Sequence, residues 1–168
     1  MEKKFEYKVE VEVHISSSEI KGELHNIIVW EGEFDASLEE VLHIINSAGH
    51  SAAYPNAFGQ RVGSDLANAM DIARGGQFIK IPNLYPTNAW YSYDDQTCDY
   101  ASCQTIEYLY WAITSILGAQ ENRMNEIDSE WTLNTRQKVE DTDTAIFTLL
   151  TNPIYKIPTV LPDGTYKH

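Results

Sequence analysis

Positive charge is scarce in this chain of 168 residues: 12 Lys and Arg stand against 25 Asp and Glu, for a formal charge of −13 at pH 7. A surface with this balance repels phosphate backbones and anionic lipid headgroups. We therefore expect neither nucleic acid nor a membrane as a partner. The acidity does not itself indicate cation binding, because most surface carboxylates only keep a protein in solution.

Long hydrophobic runs are also missing. No segment approaches the roughly 20 apolar residues that a membrane-spanning helix needs. The opening "MEKKFEYKVEVEVHI" alternates polar and apolar residues where a signal peptide has an unbroken apolar centre. We expect the chain as given to be soluble and without an export signal, while its location and oligomeric state stay open.

Cysteine is limited to Cys98 and Cys103. Two cysteines are too few for a disulfide-stapled scaffold, although their spacing permits a local bridge in an oxidising compartment. The alternatives are two unreactive free thiols, or a redox-active or nucleophilic cysteine whose pKa is lowered near the start of a helix. The sequence has no CxxC, P-loop, GxGxxG or GxSxG motif, which removes the usual signatures of nucleotide binding and serine hydrolysis.

Enough apolar material is present for one domain, since 43% of the residues are hydrophobic. We predict a single domain over residues 1–168, with a β-rich part at 1–33 and a mainly helical part at 34–168. In the first part, "FEYKVEVEVHI" alternates with period two and "LHNIIVW" is β-branched and apolar. These patterns predict an antiparallel hairpin or small sheet.

Four helices are predicted in the second part. The first ends at Gly49, the second begins after Ser64 in "DLANAMDIAR", the third spans about Ser102 to Leu117, and the fourth lies in "DTDTAIFTLLTNP". The connection "IPNLYPTNAWYSYDD" is too aromatic for a flexible linker and is expected to pack on the core. The expected fold class is α+β, with an N-terminal antiparallel hairpin or small sheet packed on three to four helices.

A polar stripe on the first helix carries the main candidate site. At about 100° per residue, Glu39, His43 and His50 fall in one narrow sector if the helix stays regular past Gly49. Carboxylate and imidazole are accepted zinc ligands, and Glu39 with His43 at i and i+4 can clamp one ion. Glu40 then occupies the position of the general base in the zinc-peptidase signature HExxH, one residue after the first ligand.

The same residues also fit an ordinary helix. Glu40 is the expected capping-box partner of Ser37, Glu39 is a first-turn acid that the helix dipole favours, and His43 is a half-buried polar residue. An EExxH match is common and weakly specific. His50 follows a helix-ending glycine, so a loop histidine is its alternative interpretation.

A second concentration of polar and aromatic residues lies in "YSYDDQTCDYASCQTIEYLYW". Glu107 stands among apolar and aromatic residues of the third helix, where a carboxylate is costly to bury without a cation or hydrogen-bond partners. It is the best acidic candidate for a further metal ligand. Tyr93 and Tyr108 are candidate phenol donors to a developing oxyanion, although aromatic packing is the commoner role for any one tyrosine.

The same stretch offers an alternative cation. Asp94, Asp95 and Asp99 are candidate calcium ligands together with backbone carbonyls. Their spacing lacks the glycine and the terminal glutamate of an EF-hand loop. A calcium-stabilised structural module is therefore one alternative to a transition-metal site.

The order of motifs from Phe34 to Tyr166 resembles a family of largely uncharacterised bacterial and algal proteins. The motifs are "FDASLEEVLHIINSAGHSAAYPNAFG", "AMDIARGG", "AWYSYDDQTCDY", "EYLYWAITSILGAQ", "EW", "LNT" and "LPDGTY", and they cover about four fifths of the chain. The first and third helices are similar in layout to the helix pair of zincin-like metallopeptidases. In the gluzincin branch of these enzymes a second helix supplies a glutamate ligand.

The resemblance implies a metal-dependent hydrolase acting on a peptide or small molecule. Glu39, His43 and Glu107 hold the ion, with His50 as a further candidate ligand, and Glu40 activates water. Glutamate in place of the first histidine of HExxH adds negative charge, which makes bound water less acidic and shifts the preference from zinc toward iron or manganese. The rival hypothesis is a non-catalytic binding domain, in which the polar stripe is a satisfied hydrogen-bond network and the tyrosine-rich loop is the contact surface.

Overall fold

The computed structural model describes residues 36–161, with side chains from residue 39 onward. Over these residues the chain is helical and has no strand or sheet, apart from one isolated antiparallel bridge between Tyr91 and Trp131. The predicted α+β class is therefore wrong for this part of the chain, where no hairpin or sheet is present for helices to pack on. The segment predicted as a hairpin, within 1–33, lies outside the described residues, as does the turn in "LPDGTY" beyond residue 161.

The described part contains six α-helices of four residues or more, where three to four helices are predicted from the sequence. They are α1 Ala36–Ile44, α2 Asp65–Ala73, α3 Thr105–Ile116, α4 Met124–Ile127, α5 Arg136–Thr142 and α6 Thr144–Thr151. Four further helical segments accompany them: π turns at Ile45–His50 and Tyr100–Gln104, an α turn at Ser51–Ala53 and a 3₁₀ turn at Pro153–Tyr155. Helices this short depend on tertiary packing for their stability.

Local sequence signals determine most of the helix ends. Ser64 Oγ accepts a hydrogen bond from the Ala67 N–H at 3.1 Å and caps α2. Gly75 and Gly118 follow α2 and α3 with φ of +75° and +89°, a left-handed conformation that glycine adopts without a steric penalty. The predicted start of the second helix and the predicted stops of the second and third helices are confirmed, whereas the α-helical part of the third begins at Thr105 and not near Ser102.

The first helical segment departs from the prediction. Its helical backbone does not end at Gly49 but continues to Ala53. The turn Ile45–His50 is π-helical, and a π turn holds more residues than an α turn. The imidazole at the end of this turn is therefore displaced from the α-helical stripe that carries Glu39 and His43.

Helices α2, α3, α5 and α6 pack on one another around one core. Tyr91, Tyr108 and Trp131 are fully buried at its centre. The aromatic connection packs as predicted: the Trp90 indole N–H donates to Asp143 Oδ2 at 2.7 Å, and the bridge to Trp131 holds Tyr91 in place.

The two cysteines form the local bridge that the sequence permits. Cys98 and Cys103 are joined in a disulfide with their Cα atoms 5.2 Å apart, and no free cysteine remains. The bridge encloses the start of the π turn that leads into α3. Among the described residues, no helix combines the length and the apolar character that are required to cross a bilayer.

Candidate metal centre

Glu39, His43 and Glu107 lie together where α1 approaches α3. One ligand atom from each of these side chains lies within 4.8 Å of the other two. His43 Nε2 is 3.8 Å from Glu107 Oε2. Because Glu39 and His43 are one turn apart on α1 and Glu107 is in the first turn of α3, two helices direct two carboxylates and one imidazole to a single point. The structure thus brings together the three residues that the sequence predicts as ligands, and we call them the Glu39–His43–Glu107 cluster.

The carboxyl groups of the cluster are poorly stabilised as anions. Burial raises the pKa of Glu107 to about 7, and the negative charges of Glu39, Glu130 and Glu40 act in the same direction. Burial followed by the charge of Glu40 also raises the pKa of Glu39. A hydrogen bond between Glu107 and Glu39 favours a proton on Glu107, since only a protonated carboxyl can donate to the other. A cation would replace that shared proton.

His43 is held in the form that binds metals. Burial lowers its pKa, which favours the neutral imidazole with a free lone pair. Its Nε2 atom is buried and has no hydrogen-bond partner among the described residues. The ring packs edge-on against Tyr110, with 5.9 Å between centroids, and this contact restrains its orientation.

Glu40 lies on the solvent side of the cluster. Its side chain is 77% exposed, and its Oε2 is 4.0 Å from Nδ1 of His43. The capping-box interpretation loses its basis, because α1 begins at Ala36 and Ser37 therefore lies inside the first turn. Glu40 is not one of the three residues whose ligand atoms converge. A base that activates water is likewise not a metal ligand, so this position agrees with the predicted role. The role itself stays a prediction.

The two candidate phenol donors occupy different surroundings. Burial, followed by the negative charges of Glu107 and Glu130, raises the pKa of Tyr93 to about 12, so this phenol stays protonated beside the cluster. Tyr108 is fully buried, and its hydroxyl donates to Asp143 Oδ2 at 2.7 Å. The structure brings Tyr93 near the cluster and uses the Tyr108 hydroxyl elsewhere.

His50 is not part of the cluster either. Its Nδ1 atom lies 3.1 Å from Asn46 Oδ1, and its ring packs against Phe58 with 5.5 Å between centroids. Burial lowers the pKa of this imidazole as well. The widened π turn explains its position, since the predicted alignment with His43 requires a regular α-helix.

The aspartates proposed for calcium are engaged by their own loop. Asp95 Oδ1 accepts hydrogen bonds from the N–H and the hydroxyl of Thr97 at 2.8 and 2.7 Å. Asp99 Oδ1 accepts from the N–H groups of Ala101 and Ser102 and caps the following π turn. The Thr97 hydrogen bonds lower the pKa of Asp95, and the Ser102 hydroxyl, followed by the Ser102 N–H, lowers the pKa of Asp99. Across residues 36–161, the one group of three acidic, histidine or cysteine side chains close enough to hold an ion is the Glu39–His43–Glu107 cluster.

Glu130 and Tyr110 are the residues near the cluster that sequence reasoning misses. The charge of Glu130 raises the pKa values of Glu39 and Glu107, and Tyr110 contacts the imidazole of His43. Tyr110 stands three residues after Glu107, on the same face of α3, and that spacing is a usable signal. For Glu130 the sequence offers only an acid directly before a tryptophan, which does not predict that it lies near the cluster. Its position depends on the pairing of residues 130–131 with residues 91–92, which are far away in the chain.

No family model matches the chain, and searches of the curated proteins and of the solved structures also find no match. The resemblance to a family with a zincin-like helix pair therefore stays a prediction. The case for a function rests on the geometry and charge of the cluster.

Proposed function

We propose that the protein is a metal-dependent hydrolase that holds one divalent transition-metal ion between Glu39, His43 and Glu107. The observation that carries the proposal is the convergence of three ligand atoms within 4.8 Å from two different helices. Ion–ligand distances of about 2.0–2.2 Å place neighbouring ligand atoms roughly 3–4 Å apart, so small side-chain rotations complete the site. Three protein ligands leave positions open for water and substrate, as in catalytic zinc sites.

The state of the polar stripe argues against the rival hypothesis of a satisfied hydrogen-bond network. Among the described residues, neither His43 Nε2 nor Asn46 Nδ2 has a hydrogen-bond partner, although both atoms are buried. Buried polar atoms in a structural network are normally paired. An unpaired imidazole nitrogen 3.8 Å from a carboxylate oxygen is what a ligand set without its ion presents.

The donor set favours a hard or borderline ion. Two carboxylates and one imidazole suit zinc, iron or manganese. A carboxylate ligand adds negative charge that a neutral imidazole in its place would not, and this charge makes a metal-bound water less acidic. Such an ion supplies Lewis-acid polarisation and a bound water. Glu40, at the solvent side, would accept a proton from an attacking water, and the protonated hydroxyl of Tyr93 would donate to the oxyanion of a peptide or small-molecule carbonyl substrate.

The first test is metal content, measured by inductively coupled plasma mass spectrometry after exposure to zinc, iron or manganese. Wild type is expected to retain about one ion per chain, and His43→Ala and Glu107→Gln to retain at least about tenfold less. His50→Ala, on the same helical segment, and Glu140→Gln, an exposed acid on α5, are matched controls that should load like wild type. Circular dichroism shows that each variant is folded. A folded wild type that takes up none of the three metals overturns the proposal.

The second test separates hydrolysis from metal binding. Glu40→Gln is expected to abolish the turnover of a panel of amide and ester substrates while metal content and melting temperature stay at wild-type values. A variant that keeps wild-type turnover would remove Glu40 from the proposed chemistry. A loaded wild type that is inactive on the whole panel would leave the protein a metal-binding domain and refute the hydrolase.

A further inference from the structure

A cavity of about 440 Å³ opens along the aromatic connection. The aromatic connection contributes residues 81–85 and 92–94 to its wall, and residues 129–130 close the other side. Glu130 and Tyr93 belong both to this wall and to the electrostatic surroundings of Glu107. Two residues of the wall are therefore within electrostatic range of Glu107, and a substrate held in the cavity can reach toward the proposed ion.

The wall of the cavity is tied together by hydrogen bonds. The Ser92 N–H donates to the Glu130 carbonyl at 2.8 Å, and the Ser92 hydroxyl donates to the Ser129 carbonyl at 2.7 Å. The Tyr85 hydroxyl donates to the Tyr93 carbonyl at 3.0 Å. A wall linked in this way is preformed, so a ligand does not have to order it.

The ionisable groups in the wall have one sign. Asp94 and Glu130 are its acids, Tyr85 and Tyr93 are its phenols, and no lysine or arginine lines it. Burial, then the neighbouring charge of Asp94, raises the pKa of Glu130 although the Trp111 indole lowers it, so a cation bound beside this carboxylate would stabilise its charge. Two acids with two phenol rings form an environment that attracts an organic cation through both charge and cation–π contacts.

A separate observation points to the same carboxylate. Trp111 is 8% exposed, and its buried indole N–H has no hydrogen-bond partner among the described residues. It lies close enough to the carboxyl of Glu130 to lower its pKa. A small movement of Glu130 toward Trp111 would therefore give this indole N–H an acceptor while the carboxylate still lines the cavity.

We propose that this cavity binds the cationic group of a peptide substrate, so that the hydrolase prefers peptides with a basic residue, or a free amino terminus, next to the scissile bond. This inference rests on the proposed function for its catalytic meaning, although binding in the cavity does not require the metal. A guanidinium or ammonium group lies between Asp94 and Glu130 and over the phenol rings. Acidic peptides are excluded by the same charges.

The test begins with binding to metal-free protein, so that it does not depend on loading or turnover. Titration calorimetry compares N-acetyl-argininamide, which has only a side-chain cation, with norleucinamide, which has only an α-amine, and with the neutral N-acetyl-norleucinamide. At least one of the cationic probes is expected to bind roughly tenfold or more tightly than the neutral one, and the one that does identifies the source of the cation. Equal binding of all three probes, or no binding, overturns the proposal.

Variants locate the binding. Glu130→Gln and Asp94→Asn are each expected to weaken the cationic probe several-fold, and Asp128→Asn, an exposed acid nearby, is the control that should not. Asp94 is exposed, so its variant stays informative if Glu130→Gln fails to fold. A wild-type affinity in Asp94→Asn and in folded Glu130→Gln would refute the site.

Turnover distinguishes the two proposals from each other. With loaded enzyme, Glu130→Gln is expected to lower kcat/KM for basic peptides toward the value for neutral ones while metal content is unchanged. A protein that binds the cationic probe but no metal refutes only the proposed function. A loaded, active enzyme without preference for basic peptides refutes only the cavity proposal.

Discussion

Asp143 is a buried carboxyl and Glu107 a partly buried one, and their surroundings differ. Asp143 is 1% exposed and accepts hydrogen bonds from Trp90 Nε1 at 2.7 Å, the Tyr108 hydroxyl at 2.7 Å and the Ile146 N–H at 3.2 Å. Burial raises the pKa of each carboxyl first of all. At Asp143 the three donors then lower the pKa again, whereas at Glu107 every further contribution raises it.

The difference distinguishes a structural carboxylate from one that needs a cation. The protein supplies Asp143 with the donors that a buried anion requires, so nothing further has to bind. Glu107 is placed against other acids and an unprotonated imidazole, an arrangement that a proton or a metal ion relieves. Four experiments test this contrast, from the largest expected effect to the smallest.

Removing the satisfied carboxylate is expected to cost the most stability. Asp143→Ala deletes the cap of α6 and leaves the Trp90 N–H and the Tyr108 hydroxyl buried without an acceptor. The cap is worth about 1 kcal/mol and each of the two unpaired donors about 1–3 kcal/mol, so the free energy of unfolding should fall by about 3–7 kcal/mol in urea denaturation at pH 7. Glu140→Ala, an exposed acid of α5, is the control with an expected change within about 0.5 kcal/mol. A loss below about 1 kcal/mol for Asp143→Ala would show that its network is not structural.

Removing the unsatisfied carboxylate should instead stabilise the metal-free protein at high pH. The folded pKa of Glu107 is about 7 against an ordinary value of 4.5. Stability from such a raised pKa is fully present below pH 4.5 and is lost as the pH rises through 7. Metal-free Glu107→Gln is therefore expected to gain about 1–3 kcal/mol over wild type at pH 8 and little near pH 4.

The metal reverses that order. A divalent ion at pH 8 should raise the melting temperature of wild type, because it binds the folded state, and should leave Glu107→Gln unchanged. Differential scanning calorimetry with and without metal measures both effects. A wild type that is more stable than Glu107→Gln at pH 8 without metal would contradict the proposed shortage of partners at Glu107.

Asp99 tests the contrast at a more exposed site. Its carboxylate is already occupied by the Ala101 and Ser102 N–H groups, so Asp99→Ala should cost about 1 kcal/mol as a lost cap. Chelation of calcium should not change the melting temperature of either protein. If chelation destabilises wild type but not the variant, the calcium alternative gains the support that the structure does not give it.

Glu40 should have the smallest effect on stability. Its side chain is 77% exposed and α1 begins before Ser37, so Glu40→Gln is expected to change the free energy of unfolding by less than about 0.5 kcal/mol. A capping box would instead make the substitution cost about 0.5–2 kcal/mol. Urea denaturation of the two metal-free proteins separates these outcomes.

The first and third helices show which site residues can be predicted from local sequence patterns. Glu39 and His43 are one turn apart on any α-helix, and the apolar run around Glu107 predicts a buried acid, so the sequence is sufficient to nominate all three residues. It does not predict α4 and α5, because short and polar helices have weak periodicity. It misplaces His50, because the stripe argument assumes α-helical geometry where the backbone forms a π turn.

The sequence by itself determined the caps and stops of several helices, the i, i+4 pair on α1 and the excess of negative charge, since these depend on neighbouring residues or on composition alone. Only the tertiary structure decided that Glu107 meets that pair, that Asp143 receives three donors, and that Glu130 joins the wall of a cavity. Each of these depends on segments far apart in the chain, and burial, which makes the charge of a carboxyl costly, exists only after those segments have packed.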